Sequence, residues 1–126
     1  MSDLQPQRRI LMVDDDVLIA MTSVDMLEEL GHKVIEAHSG REALELLGKA
    51  IDSGDRIDLL ITDFSMPGMN GAELAVQARQ IVPGLPILLA SGYTDLPDGM
   101  DINVGRLGKP YSQEDLASEI AKVLVG

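Results

Sequence analysis

The sequence predicts an α/β fold, a five-stranded parallel sheet wound with helices on both faces. Two patterns point to it. Short apolar runs alternate with stretches of helical periodicity along most of the 126 residues. The acidic and other reactive side chains collect where those runs end, as they do in open parallel sheets that bind ligands beyond the carboxyl ends of their strands.

Residues 8–13 form an apolar run that stops at Asp14, Asp15 and Asp16, the pattern of a buried strand whose carboxyl end meets solvent. From Val17 the apolar positions Val17, Met21, Val24 and Leu27 recur at three- and four-residue steps, and Gly31 follows Leu30 where a helix stops. Met12, Met21 and Met26 read as core or near-core packing. Residues 33–37 make a second strand, and Ser39 with Glu42 forms a capping box ahead of Ala43, Leu44, Leu47, Ala50 and Ile51. Residues 57–62 give a third strand, and residues 70–82 a third helix with Leu74, Ala78 and Ile81 on one face. Pro83, Gly84 and Pro86 break the chain before a fourth strand at 87–90.

A weaker fifth strand lies near 104–107, ahead of Lys109 and Pro110. Ser112 and Asp115 then cap a last helix carrying Leu116, Ile120, Val123 and Leu124. A helix is also expected between the fourth and fifth strands, but Pro97 and Gly99 stand in segment 93–103 with few apolar positions beside them, so this helix is expected to be short or frayed. The first seven residues are expected to be flexible, with one domain over 8–126. An initiating Met and an ending after the last helix favour a freestanding protein.

Ten basic against twenty-one acidic side chains give a net charge of -11, a field that repels nucleic acid and anionic lipid. No run is long and apolar enough for a membrane span, and the first nine residues lack the apolar stretch of a secretory signal. With zero cysteines, nothing points to an oxidising compartment, and the cytoplasm is the expected location.

The candidate chemistry sits at the strand ends. Strand one ends at Asp14 and Asp15, strand three at Asp63, strand four at Ser91 and strand five at Lys109. Singly, each has an ordinary reading: a helix cap, a turn residue or a solvated lysine. Together they bring three carboxylates, a hydroxyl and an ammonium to one rim. Clustered carboxylates repel unless a cation sits among them, and a hard divalent metal such as magnesium takes oxygen ligands of this kind while leaving room for phosphate oxygens. Asp63 can then act as nucleophile and form an acyl phosphate, with the metal, Lys109 and Ser91 absorbing charge on the transferring oxygens.

Val-Asp-Asp-Asp at 13–16, Ile-Thr-Asp-Phe-Ser-Met-Pro-Gly-Met-Asn-Gly at 61–71, Ala-Ser-Gly-Tyr at 90–93 and Lys-Pro-Tyr at 109–111 resemble the CheY-like receiver domains of response regulators. The resemblance runs from Arg8 through essentially the whole chain. It implies the flavodoxin-like strand order 2-1-3-4-5, magnesium held by Asp14, Asp15, Asp63 and the Ser65 backbone carbonyl, and Asp63 as phosphoacceptor. It also implies Ser91 as switch hydroxyl, Lys109 as phosphate-contacting amine and a cis peptide before Pro110. The implied partners are a sensor histidine kinase or a histidine phosphotransfer protein as donor and an unidentified protein downstream, with slow autodephosphorylation and no turnover of external substrates.

One departure stands out. The family usually has Tyr or Phe three residues before the lysine, and this chain has Arg106. The stretch between Ser91 and Lys109 is also short for the family. Together with Leu-Ala-Ser-Gly-Tyr at 89–93, this resembles a divergent receiver subgroup marked by Phe-Ala-Thr-Gly-x-Tyr, and receivers of hybrid kinases. Ser91, Tyr93 and Arg106 are the switch candidates, with Tyr93 placed to roof the site and Tyr111 expected near the base of the last helix. His32 and His38 lie beside strand two with no third ligand in view and read as surface residues.

Three other functions compete. A flavodoxin-like nucleotide binder needs a phosphate-cradling first loop, which three aspartates would oppose. A dehalogenase-type aspartyl phosphatase would use Asp14 and Asp16 but gives Asp63 no role. A receiver-like protein that only binds a partner has no need of the full set of acids, hydroxyl and lysine.

Overall fold

Every position of the third and fourth strands is buried, which requires a sheet covered on both faces. The strands are β1 (Arg9–Val13), β2 (Lys33–Ala37), β3 (Leu59–Asp63), β4 (Ile87–Ser91) and β5 (Gly105–Gly108). They are parallel, in the order β2-β1-β3-β4-β5, as the resemblance implied. The helices are α1 (Val17–Glu29), α2 (Gly40–Asp52), α3 (Gly71–Ile81) and α4 (Gln113–Leu124). The structure, a computed structural model, describes residues 7–92 and 104–124. The expectations about segment 93–103, Tyr93 included, and about residues 1–6 lie outside the described residues. Among the described residues no helix is long and apolar enough to cross a membrane.

The pleat divides the core in two. Leu11, Val13, Leu60 and Ile87 point to one side and pack with Ala43, Leu47, Leu74 and Ala78 of α2 and α3. Their neighbours Ile10, Met12, Leu59, Ile61 and Leu88 point to the other and pack with Leu27 of α1 and Leu116 and Ile120 of α4. Each fully buried Leu or Ile contributes roughly 1.5–3 kcal/mol, so these two layers hold the sheet and fix which strand ends share a rim.

Ser112 and Asp115 form the reciprocal box read before α4. Before α2 only half of the box forms: Ser39 accepts the Glu42 N–H, while the Glu42 carboxylate takes the His38 N–H instead of that of Ser39. Asn70 and Glu73, which the sequence reading passed over, form a reciprocal box before α3. Gly71 permits the closest approach, because a Cβ there would lie 2.4 Å from the Asp63 carbonyl oxygen and 2.6 Å from Leu89 Cδ1. Its N–H bonds the Phe64 carbonyl at 2.8 Å, which folds the loop 64–70 back over the end of β3.

Four readings need correction. α1 turns Ala20, Ser23 and Leu27 inward and leaves Met21 and Val17 about half exposed, at 52% and 49%; small side chains on the inner face replace the larger ones the spacing suggested. Ile51 and Ile81 are exposed near the ends of α2 and α3, while Ala75 joins the buried face of α3. The strand bounds shift: Ile57 and Asp58 precede β3, which extends to Asp63, β4 includes Ser91, and β5 begins at Gly105. His32 is buried rather than on the surface, with Nδ1 accepting the Arg8 N–H at 3.2 Å. Burial first, and the nearby Arg8 charge second, lower its pKa, so the ring sits neutral.

Candidate functional site

The carboxyl ends of β1, β3, β4 and β5 form one rim because their registers align there: Val13 is level with Thr62, Asp63 with Ala90, and Ser91 with Gly108. Asp14 continues β1 by one residue, its N–H bonding the Ala37 carbonyl at 3.1 Å, and it is buried together with Asp63 and Ser91. Asp15 is exposed beside it. Lys109 leaves β5 with its N–H on the Ser91 carbonyl at 2.9 Å, and the Lys109–Pro110 peptide is cis. Ser65 is exposed in the loop directly after Asp63, and Arg106 is exposed on β5, level with Leu89.

The reactive side chains converge. Asp14, Asp15 and Asp63 each offer a carboxylate oxygen, and these atoms lie within 4.8 Å of one another. Lys109 Nζ donates to Asp63 Oδ1 at 2.7 Å and lies 3.6 Å from Asp14 Oδ2. That second distance makes an ion pair but no hydrogen bond, and among the described residues Asp14 Oδ2 is buried without a hydrogen-bond partner.

Asp16 has a different task from its two neighbours. It caps α1 by accepting the Leu18 and Ile19 N–H groups, and its own N–H holds Asp14 Oδ1 at 2.9 Å. The reading that made Asp14 and Asp16 a nucleophile and acid pair therefore has no geometric basis.

The rim carries more negative charge than one lysine offsets. Burial raises the pKa of Asp63, opposed by Lys109, and burial also raises that of Asp14, opposed by the Asp16 N–H and then Lys109. Burial works to lower the Lys109 pKa, but the Asp63 hydrogen bond and the Asp63 and Asp14 charges outweigh it and leave it raised. Two like charges about 4 Å apart repel by about 4 kcal/mol at an effective dielectric of about 20, so three carboxylates around one ammonium still call for a cation. An all-oxygen donor set and an orphaned buried oxygen on Asp14 fit a hard divalent ion such as magnesium.

Two grooves flank this region. One of about 420 Å³ is lined by Lys109, Pro110 and Tyr111 together with Leu18, Ser23 and Met26 of α1. A larger one of about 740 Å³ between the starts of α2 and α3 contains none of the three carboxylates, and the chemistry is at the rim.

Residues 10–121 match the family model of the response regulator receiver domain. The chain belongs to this family. The receiver domain is 34% identical to the response regulator receiver protein CpdR of Brucella abortus, over 94% of this chain and 98% of that protein. It is 33% identical to the sensor kinase CckA of the same organism over 98% of this chain, which spans only 13% of that much longer protein. The crystal structure of the receiver domain of the hybrid histidine kinase CckA superposes with a TM-score of 0.78 at 32% identity, covering 93% of this chain and 99% of that one. The chemotaxis protein CheY4 of Vibrio cholerae gives 0.79 at 31% identity, covering 94% and 100%. Receiver domains serve in phosphorelays and generally bind magnesium at an acidic pocket; magnesium dependence and slow autodephosphorylation are general features of the family.

Of the residues singled out from the sequence, the structure brings together Asp14, Asp15, Asp63 and Lys109. Sequence reasoning missed the bond between Ser23 and Tyr111, whose hydroxyls are 2.7 Å apart. A Ser on the apolar face of α1 and a hydroxylated ring in Lys-Pro-Tyr were the available signals.

Proposed function

We propose that Asp63 is the phosphoacceptor of this receiver domain and that Asp14, Asp15, Asp63 and the Ser65 backbone carbonyl hold magnesium. The observation that carries this reading is the Lys109 ammonium on Asp63 Oδ1, beside the unpartnered Asp14 Oδ2. A carboxylate oxygen of Asp63 attacks the phosphorus of a phosphohistidine. The phosphorus–nitrogen bond breaks, its electron pair leaves with the imidazole, and an acyl phosphate remains on Asp63. Lys109 and the Ser91 hydroxyl take up the charge on the phosphoryl oxygens. Magnesium, when bound, adds positive charge opposite those oxygens. Attack by water on the phosphorus later restores the Asp63 carboxylate. The chain thus catalyses its own modification and has no external substrate to turn over.

The donor is a sensor histidine kinase or a histidine phosphotransfer protein. The exposed strip Val17, Leu18 and Met21 supports a protein donor, since Leu18 is 74% exposed on the helix that starts at the acidic end of β1. Ser91, Tyr93 and Arg106 carry the change to a downstream protein, with Arg106 standing where relatives use an aromatic ring. The receiver unit spans 8–126 and acts in the cytoplasm.

Incubation with a small phosphodonor and magnesium tests this reading. It requires an acid-stable, base-labile phosphoprotein that forms only with the metal and is absent in Asp63→Asn. A wild-type protein that takes no phosphoryl group would leave only partner binding.

A further inference from the structure

Lys109 must point its ammonium at Asp63, yet it sits at the start of a loop, so something beyond β5 has to hold that loop. Its N–H is fixed to the Ser91 carbonyl on the sheet side. On the other side Tyr111 of the loop and Gln113, the first residue of α4, are both tied to α1. The Tyr111 and Ser23 hydroxyls are 2.7 Å apart, and Gln113 Nε2 donates to the Met26 carbonyl at 3.1 Å and to Glu29 Oε1 at 2.9 Å.

The Ser23–Tyr111 bond is the nearer of the two ties to Lys109 and the more enclosed. Ser23 is buried at 1% exposure on the inward face of α1, where the spacing of apolar residues gave no reason for a hydroxyl. The Tyr111 ring packs against the layer containing Ile10, Met12 and Leu116. An anchored ring two residues from Lys109 restricts where the lysine backbone can sit. α1 in turn begins at Asp16, whose N–H holds Asp14. Both charged partners of Asp63 are therefore referred to the same helix, Asp14 at its start and Lys109 through Ser23.

We propose that Tyr111, hydrogen-bonded to Ser23, is a positioning residue that holds Lys109 on Asp63 and so supports phosphoryl transfer. It touches no reacting atom and acts through the lysine. The inference rests on Asp63 being the acceptor.

The test is the rate of labelling by phosphoramidate with magnesium in wild type, Tyr111→Phe, Ser23→Ala, Lys109→Ala and the Tyr111→Phe/Lys109→Ala double variant, with thermal midpoints recorded alongside. Tyr111→Phe and Ser23→Ala should each slow labelling about fivefold, the size of one ordinary hydrogen bond. In the Lys109→Ala background Tyr111→Phe should have no further effect, a coupling that general loosening of the fold would not produce. Equal slowing with and without Lys109 overturns the proposal, as do wild-type rates in both single variants. If Ser23→Ala does not fold, Tyr111→Phe alone decides by the same coupling. Wild-type protein that takes no label overturns the acceptor assignment as well, which separates the two failures.

Discussion

Lys109 Nζ lies 2.7 Å from Asp63 Oδ1 and 3.6 Å from Asp14 Oδ2, so a single ammonium serves two buried carboxylates from different strands. It stands where a cation is wanted and competes with one. Replacing Lys109 with Met removes that competing charge, and magnesium should bind several-fold more tightly, measured by calorimetric titration at fixed ionic strength. Weaker binding in Lys109→Met would mean that the lysine helps assemble the metal site.

Burial raises the pKa of Asp14 above its usual 3.8, so its ionised form opposes folding. The folded state binds the proton more readily than the unfolded one, and this opposition is complete above the folded pKa and vanishes below the unfolded one. Asp14→Asn should therefore raise the thermal midpoint by a few degrees at pH 7 in the presence of a chelator, with the gain shrinking as the pH falls toward 4. It should also abolish the stabilisation that magnesium gives the wild type. A lower midpoint in Asp14→Asn at neutral pH would contradict the burial argument.

His32 behaves in the opposite sense. Its folded pKa is lowered from 6.5, by burial and then by Arg8, so below that value the unfolded chain gains a proton that the folded one resists. Stability should fall as pH drops from 7 to 5.5, and His32→Asn, which keeps an acceptor near Nδ1, should flatten that part of the curve. Denaturant midpoints across the range check this; identical slopes in the two proteins would remove His32 as the cause.

Gly71→Ala places a methyl group 2.4 Å from the Asp63 carbonyl, so backbone must move. A loss of roughly 1–3 kcal/mol is expected in denaturant unfolding, of the kind seen when a packed core is overfilled. The same displacement reaches the loop after Asp63, so labelling should slow as well. Wild-type stability in Gly71→Ala would show that α3 can slide without cost.

The rim was legible because strand ends are marked twice, by the stop of an apolar run and by the polar residue that follows. Asp14, Asp63 and Ser91 carry that double signal, while Lys109 follows the weakly apolar stretch 104–108 and is marked by Lys-Pro-Tyr. The faces of α1 were not legible, because Ala20 and Ser23 pack inward where close approach to the sheet favours small side chains, and hydropathy alone ranks Met21 and Val17 above them. His32 was misread for a related reason: burial of a neutral ring depends on Arg8, 24 positions away, presenting its N–H.

Phosphorylation of Asp63 can be located directly. Borohydride reduction of the phosphorylated protein converts an aspartyl phosphate to homoserine, and peptide mass spectrometry then locates the residue. One modified position is expected, Asp63, dependent on magnesium and lost in Asp63→Asn. Homoserine at Asp14 or Asp15, or the same yield without metal, would contradict that assignment.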